Sequence, residues 1–113
     1  MRHEKFYILN TDGAFEKVAG EPVIIPLFEE FDFFIHKCGN EHRVSEGKTG
    51  NCISIGVSKK EAIEKAAFLL EQYGKEEINR MIQEKIIKYG ISPRHVPKLK
   101  GELLLVRDKD AFA

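Results

Sequence analysis

The sequence predicts a single α+β domain over residues 1–113, an antiparallel sheet packed on two helices. Two observations predict it. Short apolar stretches alternate with Gly, Asn and Asp turn residues as far as Val57, and a capped helical stripe begins at once at Ser58. No linker, repeat or low-complexity segment divides the chain, whose length suits one domain. With 42% hydrophobic and 32% charged residues it can build a core without metal or disulfide staples.

Lys5–Asn10 reads as the first strand and Ala14–Val18 as the second, joined by Asn10-Thr11-Asp12-Gly13, because Asp-Gly tolerates the positive φ of a tight turn. Gly20-Glu21-Pro22 is expected to break the chain. Pro22–Phe28 then reads as an edge strand, since Pro26 supplies no N–H. Asp32–Cys38, Glu41–Glu46 and Asn51–Val57 form a three-stranded meander, turning at Gly39-Asn40 and at Gly47-Lys48-Thr49-Gly50. A two-residue first turn pairs Cys38 with Glu41 and Ile35 with Val44. Setting Val44 beside Ile53 places Phe33, Ile35, Val44, Ile53 and Ile55 on one face, toward the helices. Phe34 and Cys38, with Cys52 beside them, then lie on the reverse face, which the amino-terminal hairpin is expected to cover.

Ser58 and Glu61 form a capping box for a helix with Ile63, Ala66, Ala67 and Leu70 in its stripe, stopped at Gly74. A second helix over Lys75–Tyr89 carries Ile78, Met81, Ile82 and Ile86 and ends at Gly90. Pro93 and Pro97 hold the chain extended, Glu102–Val106 is expected as a carboxy-terminal strand, and residues 107–113 as a frayed tail.

Equal numbers of basic and acidic residues exclude a global field for nucleic acid, yet the charge is uneven. Residues 12–32 are acid-rich, whereas Lys85, Lys88, Arg94, Lys98 and Lys100 form a run without an acid. That run meets the acidic segment, a protein, or nucleic acid. Five phosphate contacts would give a log–log salt slope of about −4 on duplex DNA. No stretch reaches the roughly 18 apolar residues of a membrane span and no signal peptide stands at the amino terminus, so a cytoplasmic location is expected.

His36, Cys38, His42 and Cys52 are the residue types of a zinc site. The register places His42 on the face opposite the other three, and four ligands must lie within about 2.0–2.3 Å of one ion, so no metal or other cofactor is expected. Glu29, Glu30 and Asp32 read as surface acids. Gly47-Lys48-Thr49-Gly50 lacks the first glycine of a phosphate loop and opens no helix. No catalytic constellation emerges. The expected function is a protein-binding module whose partner is another protein or a second copy of itself, with contacts at Phe34 and Arg43 or along the basic run. The alternatives are a nucleic-acid-associated protein and a small metal protein or enzyme at His36 and His42.

The run Cys52-Ile53-Ser54-Ile55-Gly56-Val57-Ser58-Lys59-Lys60-Glu61-Ala62-Ile63 resembles the strand-to-helix junction of HicB-type antitoxins, with Cys52, Ser54, Gly56, Ser58, Glu61, Ala62 and Ile63 at matching positions. Gly90-Ile91-Ser92-Pro93 is similar to the Gly-x-x-Pro ending of that unit, and the resemblance spans residues 31–97. It implies a β-β-β-α-β domain that silences a small ribonuclease toxin. Ser45–Gly50 departs from the family's acidic approach to the third strand, residues 1–30 are additional, and the 98–113 segment carries no helix-turn-helix. A phage or mobile-element inhibitor fits the same pattern.

Overall fold

A computed structural model describes residues 4–95. Five strands form one antiparallel sheet in chain order: β1 (Glu4–Leu9), β2 (Phe15–Val23), β3 (Phe33–Cys38), β4 (Glu41–Glu46) and β5 (Cys52–Gly56). One helical element, α1 (Lys59–Tyr89), packs across β5 and β4.

The β1–β2 turn is built by Asn10, whose Oδ1 accepts from the amides of Asp12 and Ala14 at 3.0 and 3.1 Å. The expected break at Gly20–Pro22 does not occur. β2 runs through to Val23 and changes partner on the way, pairing with β1 from Phe15 to Gly20 and with β3 from Glu21 to Val23. Pro22 is tolerated because β2 has left β1 by that point, so one of its edges is free of a ladder. The strand expected over 22–28 ends at Val23. The loop beyond it buries Ile25, Phe28 and Phe31 against the helix-facing core.

The change of partner folds the β1–β2 hairpin over the reverse face of the sheet. Phe6 stacks on Phe34 with ring centroids 4.3 Å apart and planes 10° from parallel, and both rings are fully buried. The expected intramolecular cover is therefore present. Arg94 lies over the Phe6 ring at 3.9 Å. The spacing leaves room only for the order Phe34–Phe6–Arg94.

β3 and β4 pair as expected, Cys38 with Glu41 and Ile35 with Val44. The next register does not. Val44 faces Ser54, Ser45 faces Cys52, and Ile53 is the extra residue of a bulge. Ser54 thus occupies the helix-facing position, where its hydroxyl donates to the Ala62 carbonyl at 2.6 Å. Ile55 lies opposite Arg43 on the reverse side, half exposed, instead of in the core.

The two expected helices are corrected to one, α1, kinked at Gly74. Ser58 caps it by accepting from the Glu61 amide at 3.1 Å. The stop expected at Gly74 does not occur: the residue adopts φ 80° and ψ 161°, no loop residues follow and Lys75 resumes the helix. An L side chain resists that φ, so glycine permits the kink. Ala62, Ala66 and Leu70 before the kink and Ile78 and Ile82 after it are buried with Phe33, Ile35 and Val44. The strand over Glu102–Val106, the tail 107–113, and Lys98 and Lys100 lie outside the described residues.

Candidate functional site

The reverse sheet face does not offer the surface that the sequence implied. Phe34 is sealed beneath Phe6. Arg43 is half-buried and occupied by Glu41, to whose Oε2 its Nε and Nη2 donate at 3.2 and 2.9 Å; that bond holds the guanidinium pKa above its ordinary value. The candidate zinc ligands do not converge. His36 pairs with Arg43 on the reverse face and His42 with Lys37 on the helix face. Cys38 and Cys52 are free, exposed thiols. Among the described residues no three His, Cys, Asp or Glu side chains are placed to share an ion.

His36 is buried, and neither ring nitrogen has a hydrogen-bond partner among the described residues. Burial first, and then the Arg43 charge, push its pKa below 6.5, so the ring is held neutral. The unfolded chain therefore takes up a proton, as pH falls through about 6.5, that the folded state refuses. Stability present at neutral pH should be lost below that point, and His36→Leu should remove that component of the loss in denaturant melts at pH 7 and 5. An unchanged pH dependence in that variant would contradict the assignment. Glu46 acts oppositely. Burial raises its pKa from 4.5 despite donors from Lys48 and Thr49, so its contribution is present at low pH and is lost as pH rises through the folded value.

The basic run is divided in its duties. Lys85 and Lys88 flank the Tyr89 ring at 5.3 and 5.1 Å. Arg94 is spent internally: it donates to the Lys5 carbonyl and to Glu4, both at 3.0 Å, and sits 3.7 Å from Asp32. His95 Nε2 lies 2.8 Å from Asp32 Oδ2. The acidic segment is thus engaged in part by its own chain, at Asp32 and at Glu30, which pairs with Lys75 at 2.9 Å. The Asp32–His95 pair is a carboxylate–imidazole contact with a serine nearby, but Ser92 is fully buried and its Oγ accepts from the Arg94 amide at 3.2 Å. A nucleophile in that state has no access to substrate, and the contact holds the 91–95 strap against the sheet.

Among the described residues the surface that remains open lies along β5. β5 is an outer strand of the sheet among the described residues, and between Cys52 and Ser58 there is no charged or proline residue to guard it. The opposite outer strand, β1, carries Glu4 and Lys5. Beside β5, Phe68 of α1 is 61% exposed, with Ile55 at 42% and Val57 at 77%. A groove runs between Cys52–Ile55 and the helix residues Glu64, Lys65, Phe68 and Leu69. No β4 residue lines it, so it opens on the unpaired side. The Lys65 ammonium donates to the Ile55 carbonyl at 3.3 Å, which marks that carbonyl as one the sheet leaves unpaired.

The groove adjoins a cavity of about 190 Å³ between the two arms of α1, and Cys52, Ile53 and Leu69 line both. Side chains of the two helical arms and Ile53 supply its apolar wall, with Glu46, Thr49, Asn51 and Lys85 at its polar positions. Sequence reasoning missed this region because Ile55 was assigned to the core and Phe68 falls off the buried stripe of Ala62, Ala66 and Leu70. The lack of any charge from Asn51 to Ser58 was the signal present. The chain matches no protein-family model, and no curated protein or solved structure shows significant similarity to it. Among the described residues no helix is long and apolar enough to cross a membrane.

Proposed function

We propose that the chain is a non-enzymatic protein-binding module of the antitoxin-domain or phage-inhibitor kind, acting in the cytoplasm, and that it docks an extended segment of another protein along the edge of β5 that the described residues leave unpaired. The observation that carries this is the uncharged outer strand with Ile55, Val57 and Phe68 exposed beside it. Strand addition satisfies backbone donors and acceptors that the edge leaves open, while side-chain contacts select the partner. An incoming amide replaces the Lys65 ammonium at the Ile55 carbonyl. Glu64 and Lys65 flank the groove with one charge of each sign, so the complementary segment is apolar at its centre and carries both signs at its margins. The stretch that resembles the HicB junction, Cys52–Ile63, forms β5 and the first turn of α1, which supports the same reading.

Photo-cross-linking tests it. A photoreactive residue at position 68 in source cells should capture one heterologous protein, and the same residue at the exposed position 17 should not. In the reconstituted complex, Ile55→Asp and Phe68→Ala should each weaken binding by about tenfold or more. Adducts only with a second copy of the chain, or equal capture at both positions, would overturn the reading.

A further inference from the structure

We infer that the cavity between the two arms of α1 is an anchor pocket for one uncharged aromatic side chain, of phenylalanine size, carried by the segment that docks along β5; this rests on the strand-docking reading. The groove and the cavity share Cys52, Ile53 and Leu69, so a chain lying on β5 runs beside the cavity wall. The size fits. The cavity measures about 190 Å³, and a cavity of about 150 Å³ lined by similar residues admits benzene.

The lining selects the chemistry. Ile53, Leu70, Ile78 and Ile82 make the wall apolar, while the Met81 sulfur and the Tyr73 ring favour an aromatic guest over an aliphatic one. The polar groups select against charge. Glu46 already accepts from the Lys48 amide, the Thr49 amide and the Thr49 hydroxyl, each at 2.8 Å, which leaves little capacity for a ligand donor. Lys85 and Glu46 carry opposite signs, so the lining gives neither an ammonium nor a carboxylate a field of one sign, and a neutral guest avoids the cost of burying a charge. A Cβ built on Gly74 would meet nothing within 4 Å, so crowding does not impose the kink.

The test uses the full chain with methyl labelling and two probes, N-acetyl-phenylalaninamide and N-acetyl-alaninamide. The aromatic probe should produce saturable shifts at the Ile78, Met81 and Ile82 methyls with a Kd of about 1–10 mM, and the alanine probe should bind at least about tenfold more weakly. Leu69→Phe, which enlarges a side chain of the shared wall, should abolish the shifts. If that variant does not fold, Tyr73→Ala at the exposed rim should weaken the probe by about threefold or more. Ile55→Asp should leave the probe's Kd unchanged, so a failure of the pocket and a failure of strand docking give different results. Equal shifts from the two probes, no saturation, or an unaltered Kd in a folded rim variant would overturn the inference.

Discussion

Phe34→Ala is expected to remove about 3–5 kcal/mol of stability, a large share of the roughly 5–15 kcal/mol that holds a domain of this size together. Phe34 is fully buried, and the ring it supports is part of a stack that joins three distant segments: β3 through Phe34, β1 through Phe6 and the carboxy-terminal strap through Arg94. Truncation leaves a cavity that the rigid sheet behind it does not fill, and it removes the platform on which the β1–β2 hairpin lies. Urea melts of Phe34→Ala, Phe6→Ala and the double variant measure this. The coupling between the two rings should be about 0.5–1.5 kcal/mol. A loss below about 1 kcal/mol for Phe34→Ala would mean that the hairpin does not cover this face.

Gly56→Ala should be nearly as damaging, at about 3 kcal/mol or a fall in Tm of about 10–20 °C. A Cβ at Gly56 would lie 2.5 Å from the Ala62 amide nitrogen and 3.0 Å from its Cα, and both are backbone atoms that no rotamer change can move away. The strand end and the first turn of α1 would have to separate, which also stretches the 2.6 Å bond from the Ser54 hydroxyl to the Ala62 carbonyl. Ser54→Ala is the comparison, since it loses only the hydrogen bond and should cost about 1 kcal/mol. If the glycine variant melts no lower than the serine variant, the close approach of β5 to α1 is wrong.

Much of this architecture was legible in local sequence. The Asn10–Gly13 turn, the two-residue Gly39-Asn40 hairpin with its register, and the Ser58 cap all follow from short-range chemistry, and each stands where it was read. The errors share one property: the deciding contact is distant in the chain. Gly20–Pro22 looks like a break, but β3 captures Glu21–Val23 as a second pairing segment. Ile53 and Ile55 looked equivalent by alternation, until a single bulge opposite Val44 and Ser45 turned Ile55 outward and put Ser54 against the helix. For the candidate site, Arg94 read as part of a basic run because its partner Glu4 lies 90 positions away, and Asp32 lies 63 positions from His95.

The sequence by itself determined an α+β domain, where its turns and helix cap fall, and which residues are apolar, because those properties depend on neighbours within a few residues. Only the tertiary structure decided that the hairpin folds over Phe34, that Gly74 bends one helix instead of ending it, and that the exposed apolar edge is β5 beside Phe68. Which of two chemically acceptable faces is buried depends on what packs against it, and alternation alone records no partner.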